Sequence, residues 1–265
     1  MEGISIRKGE GYYLINVESL STPIKDAIRK ELSGICHGAD QANSKSLMYS
    51  YKATLDEFLK RYDSKADTTK IGMIGELLSH ILVVAVIDDL TPVSAYFNLE
   101  ERSIKKGFDI LLYSNNGDLW ITEVKSGEIH KGKNSTETTV DLINTACSDL
   151  DKRLNENNMN HWMNAKNSAL VAVSEESDYK KAVMTILNDE GDLTYKGEST
   201  SKDNNVFLIS SLFSELPDEI DINRIESVNN KINAKDIFKD KKIISLKKST
   251  FKHVENFLRE EAQNA

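Results

Sequence analysis

The sequence predicts an α/β fold, a mixed central sheet flanked by helices, on three observations. Two β-rich apolar runs are joined by Asn115-Asn116-Gly117, a long apolar helix precedes them, and helical and strand-like segments alternate after them. With 265 residues, 39% of them apolar and 29% charged, the chain can bury a full-sized core. Its 13 Gly and 3 Pro exclude a collagenous or low-complexity polymer.

Residues 12–17 read as a strand, and 22–32 and 47–62 as helices separated by a polar stretch at 37–46. The charged segment 63–70 marks a seam. Residues 1–66 are therefore expected to form an N-terminal, mainly helical appendage that offers a partner interface, and 67–265 the core with a C-terminal helical extension. Over 68–86, Ile71, Ile74, Leu77, Leu78, Ile81 and Leu82 recur at helical spacing behind Asp67 or Thr68 as the cap, and the apolar end of this helix predicts burial. A β-like run at 93–97 and a charged patch at 100–106 come next. The hairpin pairs 107–114 with 118–125, because Asn-Gly between β-rich runs is the strongest short-range hairpin signal. Beyond a polar loop, 126–137, the reading is helix 138–155, strand 169–173, helix 179–187, strand 206–210 and a closing helix 250–262.

Charge and composition exclude several function classes. A net charge of -8 argues against a protein that grips nucleic acid unaided, since such affinity comes largely from neutralising phosphates. Cys36 and Cys147 lack a CxxC or Cys/His companion, which leaves no disulfide framework and no zinc module. The 5 histidines show no metal-ligand spacing, and no Gly-x-Ser-x-Gly elbow occurs. The start carries no basic-then-apolar leader and the longest apolar run, 81–87, is too short to span a bilayer, so a cytoplasmic protein without a membrane segment is expected.

Three charged residues stand where strands are usually apolar: Asp109, Glu123 and Lys125. Alternation puts Glu123 and Lys125 on one face, about 6.5–7 Å apart, in line with Leu119 and Ile121. Whether Asp109 joins them depends on the turn. A two-residue loop at Asn116-Gly117 sets Asp109 opposite Val124 and sends the carboxylates to different faces. A three-residue loop with Gly117 left-handed pairs Ser114 with Asp118 and brings Asp109 opposite Glu123. Two carboxylates about 4 Å apart repel by roughly 4 kcal/mol at an effective dielectric of about 20, so a partly buried pair needs a cation or a shared proton. A hard divalent ion suits such oxygens, and Mg²⁺ takes one or two carboxylates with phosphate oxygens and water. Lys125 would position that water and stabilise developing negative charge, which outlines a phosphodiester hydrolysis site.

Asp109, followed fourteen positions later by Glu123-x-Lys125 on the second strand of a hairpin and preceded by a Glu-bearing helix, resembles the PD-(D/E)xK nuclease superfamily. Gly107-Phe108 stands where that pattern usually has its leading proline. More narrowly, Gly72-Met73-Ile74-Gly75-Glu76-Leu77-Leu78, Lys106-Gly107-Phe108-Asp109 and Leu119-Trp120-Ile121-Thr122-Glu123-Val124-Lys125 are similar to the HamA nuclease family of Hachiman antiphage defence systems. The resemblance implies a restriction-endonuclease-like core and a metal-dependent DNA nuclease using Mg²⁺, with Mn²⁺ able to substitute and no small-molecule cofactor. It makes Asp109 and Glu123 metal ligands, Lys125 the catalytic lysine and Glu76 a further ligand. It also implies a HamB-like superfamily 2 helicase partner that carries much of the DNA affinity and restrains the nuclease. By position, His130, Lys131 and Lys133 become phosphate contacts, and Ser126 touches the metal shell or the backbone.

Plainer readings compete. Asp63-x-Lys65, Asp178-x-Lys180 and Asp240-x-Lys242 are similar triplets, and only the apolar flank and the Asp-bearing partner strand set Glu123-x-Lys125 apart. An inward charge on an edge strand can serve against aggregation, Glu76 can be an exposed helical carboxylate beside His80, and Trp120 a core aromatic. Gly127-x-x-x-x-Gly132-Lys133 imitates a phosphate-binding loop but has Asn134 where Ser or Thr should follow. Lys239, Lys241, Lys242, Lys247, Lys248 and Lys252 read as a solvated face or as a DNA or partner contact. The alternative functions are a stand-alone restriction or repair nuclease, or a non-catalytic partner-binding subunit with a nuclease fold.

Overall fold

A computed structural model of the chain describes residues 1–96, 107–215, 217–249 and 251–264. Its strands are β1 (Ile4–Gly9), β2 (Tyr12–Val17), β3 (Leu90–Pro92), β4 (Ile110–Ser114), β5 (Leu119–Glu128), β6 (Asn205–Phe213) and β7 (Asp240–Lys248). They form a seven-stranded mixed sheet in the order β1-β2-β7-β6-β5-β4-β3. The inner block β2-β7-β6-β5 is parallel, whereas β1 on one side and β4 and β3 on the other run antiparallel to their neighbours. A parallel strand covered on both faces needs a near-continuous apolar run, and every residue of β6 is buried.

Parallel neighbours need crossovers. Helices α1 (Thr22–His37), α2 (Ala39–Ala42), α3 (Tyr51–Asp63) and α4 (Asp67–Val86) lie between β2 and β3; α5 (Ser135–Leu154), α6 (Asn160–Ala172) and α7 (Lys180–Lys196) link β5 to β6; α8 (Ile222–Asn233) links β6 to β7; and α9 (Lys252–Asn264) closes the chain. Side chains alternate across the strands and divide the core into two layers. Trp120, Phe207 and Ile244 face α1, α3, α4 and α9, while Leu119, Ile121, Leu208 and Ile243 face α5, α6, α7 and α8. Helix α4 is long and apolar enough to cross a membrane by length and composition, and 56% of that stretch is buried inside the fold.

Several expectations are corrected. Residues 1–66 contribute β1 and β2 to the common sheet, and Ile15, Ile28 and Phe58 share a core layer with Leu77 of α4, so the seam at 66 is not a break in the core. Residues 169–173 are not a strand but the end of α6 and its cap: Trp162, Ala165 and Ala169 are buried at helical spacing, and a short apolar run does not by itself distinguish helix from strand. Strand β3 lies at Leu90–Pro92 rather than at 93–97, of which Phe97 lies outside the described residues, as do the patch 100–106 and Thr250. The lysine run is only in part a solvated face, with Lys239 and Lys252 exposed. It flanks and enters β7, an inner strand, and Lys241, Lys247 and Lys248 are buried. Their ammonium groups reach polar partners at the strand ends: Lys241 donates to Asn229 Oδ1 and Lys247 to the Asp218 carbonyl.

Candidate active site

The turn between β4 and β5 decides the site. Ser114 N donates to Asp118 O at 3.0 Å, Gly117 N donates to Ser114 O at 2.9 Å, and Gly117 has φ +87°, so Asn115-Asn116-Gly117 is a three-residue loop with a left-handed glycine. The ladder pairs Ile110 with Thr122, Leu111 with Ile121 and Leu112 with Trp120. One step further, Asp109 stands across from Glu123, and Asp109 Oδ2 accepts the Val124 backbone N–H at 2.8 Å. Of the two registers open to the sequence, this one brings the carboxylates to the same face.

That face lies under α5, whose start is fixed by a capping box between Asn134 and Glu137. Glu123 is 2% exposed. Its Oε1 accepts from Lys125 Nζ at 2.8 Å, and its Oε2 from Arg153 Nη1 at 2.7 Å, with Arg153 Nη2 at 3.4 Å from Oε1. Lys125 Nζ also pairs with Asp149 Oδ2 at 2.7 Å. Two residues two apart on the strand thus meet two residues four apart on the helix, acid to base in both pairs. Asp149 and Arg153 are absent from the sequence reading. A signal for them existed: Leu142 and Ala146 form an apolar helical stripe whose continuation falls on Asp149 and Arg153.

The electrostatics follow from burial. Desolvation and then the nearby Asp109 charge push the Glu123 carboxyl above the ordinary range, against the pull of Arg153 and Lys125. Burial disfavours the Lys125 ammonium, but Glu123 and Asp149 outweigh it and hold its pKa above the usual lysine value, so it carries its proton at neutral pH. A shallow polar hollow lined by His130, Asp141, Asn144, Thr145, Ser148 and Asp149 opens beside this pair.

The other predicted residues are placed less centrally. Glu76 is on α4, which covers the opposite face of the sheet. Glu76 and Asp109 both act on the buried Tyr96 hydroxyl, which burial first of all keeps protonated. Among the described residues, no three His, Cys, Asp or Glu side chains stand at metal-holding spacing, so Glu76 is not gathered with Asp109 and Glu123. Ser126 faces α4, where it touches Gly75, and so lies on the opposite side from Glu123. His130 Nδ1 lies 2.9 Å from Asp141 Oδ2, which also accepts from Lys133, while Lys131 is exposed. With Lys133 held by Asp141 and Asn134 capping α5, the glycine-containing loop is a helix entry.

Asp109 and Glu123 supply the hard oxygen donors a divalent ion favours, and the charge of Asp109 raises the Glu123 carboxyl as expected of two acids sharing one site. These two carboxylates are the oxygens of the site that suit a hard divalent ion, and among the described residues no third acidic, histidine or cysteine ligand stands with them. Fold and site define an α/β protein with a buried acid–lysine cluster where a hairpin meets a crossover helix. The chain belongs to the HamA family, whose family model matches residues 6–258. Membership supports a role in Hachiman antiphage defence. No curated protein matches the chain.

Proposed function

We propose that this protein is a Mg²⁺-dependent deoxyribonuclease of the PD-(D/E)xK type, with a restriction-endonuclease-like core, acting in the cytoplasm within a Hachiman system. The observation that carries this reading is the register of one hairpin, which sets Asp109 across from Glu123 with Lys125 on the same face. Asp109 and Glu123 would hold the ion, and Glu76 on the far face of the sheet stays outside that ligand set. The ion when bound supplies Lewis-acid polarisation of a phosphoryl oxygen and charge neutralisation.

The chain's own residues do the rest. Lys125 stays protonated and acts as a donor, orienting the attacking water and stabilising charge on the phosphate. Asp149 is a positioning residue that holds Lys125 in place. Exposed Lys131 is the freest phosphate contact of the loop before α5, since His130 and Lys133 first have to leave Asp141. The net charge of -8 supports a reading in which most DNA affinity comes from a partner, a HamB-like superfamily 2 helicase that delivers DNA and restrains cleavage until then.

The test is a Mg²⁺-dependent cleavage assay of wild type against Glu123→Ala/Lys125→Ala, with and without the neighbouring helicase. Cleavage by the wild type alone of the two supports the reading. Equal cleavage by both would remove the catalytic assignment.

A further inference from the structure

Both oxygens of the buried Glu123 carboxylate are already engaged: Oε2 by Arg153 Nη1 at 2.7 Å, and Oε1 by Lys125 Nζ at 2.8 Å with Arg153 Nη2 at 3.4 Å. A guanidinium fork satisfies a carboxylate through the same oxygens that a divalent cation needs. Guanidinium and metal ion also carry the same sign of charge, so in one buried site they exclude each other. One of the two resident cations has to yield.

The contacts say which. Lys125 has a second acidic anchor, Asp149, at 2.7 Å. The Arg153 guanidinium has, among the described residues, only the Gly107 carbonyl at 3.5 Å as a further hydrogen-bond acceptor, and no second acid. The Arg153 side chain sits in the last turn of α5 and is 25% exposed, the same as that of Lys125, so the second acidic anchor is what separates the two. Release of Arg153 costs less than release of Lys125, and it leaves Lys125 where the proposed chemistry needs it.

We propose that Arg153 is the resident counter-ion of Glu123 and that a divalent cation binds this site by displacing the Arg153 guanidinium. This rests on the metal-dependent reading above. The cation-free protein is accordingly a closed state, and whatever draws Arg153 away from Glu123 raises cation affinity.

The experiment measures Mn²⁺ binding to the full chain by the loss of the free Mn²⁺ EPR signal. Arg153→Met is expected to bind Mn²⁺ about tenfold more tightly than wild type, since a charge-assisted hydrogen bond no longer competes. Lys152→Met, which removes the same charge from a side chain 78% exposed and paired with Glu156, is expected to leave affinity near the wild-type value. Glu123→Gln is expected to weaken it. In the wild type, Mn²⁺ should speed modification of Arg153 by phenylglyoxal, mapped by mass spectrometry. That measurement decides alone if Arg153→Met does not fold.

Wild type that binds Mn²⁺ through Glu123, with Arg153→Met binding no more tightly or Arg153 labelling unchanged or slowed, overturns the displacement and leaves the nuclease reading standing. Absence of Mn²⁺ binding in wild type and Arg153→Met alike overturns both.

Discussion

Arg153 Nη1 lies 2.7 Å from Glu123 Oε2, so a guanidinium from the last turn of α5 neutralises an acid on the neighbouring strand that is 2% exposed. Removing one partner of a buried pair leaves the other charge uncompensated. Arg153→Leu is expected to destabilise the cation-free protein by about 3 kcal/mol, with Lys125 limiting the loss. Adding Glu123→Gln should cost less than the sum of the two single changes. A urea-denaturation double-mutant cycle measures this, and strict additivity would show that the contact carries no energy.

The hairpin loop should be sensitive in two distinct ways. Gly117 has φ +87° and a Cβ there would meet the Tyr113 hydroxyl at an ordinary contact distance of 3.6 Å, so Gly117→Ala costs mainly the left-handed backbone, about 1–2 kcal/mol by thermal unfolding. Deleting Asp118 with the three-residue loop kept pairs Ser114 with Leu119, moves Asp109 opposite Val124 and puts the two acids on different faces. That deletion is expected to abolish Mn²⁺ binding and cleavage while far-UV circular dichroism stays close to wild type. Retained binding would mean the register does not define the site.

Gly75 fixes the approach of α4 to β5. A Cβ there would stand 1.9 Å from Ser126 Oγ and 3.1 Å from Ser211 Cβ. Gly75→Ala is expected to cost about 1–3 kcal/mol through overpacking. Ser126→Gly in the same chain should recover part of the loss in melting temperature. Failure of that rescue would point to Ser211 or the helix backbone as the obstacle.

Lys241 gives the fold a pH dependence. Burial lowers its pKa to about 8, and its ammonium donates to Asn229. The unfolded chain keeps the ordinary lysine value near 10.4, so between about pH 8 and 10.4 the unfolded state binds more protons than the folded one. Stability from this group therefore rises with pH across that window, by at most about 3 kcal/mol. The difference in urea midpoint between wild type and Lys241→Met should move in favour of wild type from pH 7.5 to 10. A difference independent of pH would place the lysine's proton affinity at its ordinary value.

Much of the site was legible because it is local. The strand Leu119-Trp120-Ile121-Thr122-Glu123-Val124-Lys125, with charges at its end, and the Asn-Gly turn before it are written within a few residues of one another, and local geometry follows from local sequence. The same is true of α4, whose apolar spacing marks its span, and of α5, marked by Asn134 and Glu137 at its start. Where β-branched and helical preferences compete over a short run, as at 169–173, sequence favoured the wrong element because tertiary burial of Trp162, Ala165 and Ala169 decides it.

By itself the sequence determined which residue types could do chemistry here and that Glu123 and Lys125 share one strand face. Only the tertiary structure decided that Asp109 joins them, because two loop lengths of similar cost lead to opposite faces and packing on both sides of β5 selects one. It alone also revealed that α5 brings Asp149 and Arg153 over the pair, that Ser126 and Glu76 belong to the other layer, and that Lys241, Lys247 and Lys248 of β7 are inside. Those outcomes depend on which helix crosses which strand, and such long-range contacts are set by the burial of whole faces rather than by any neighbouring residue.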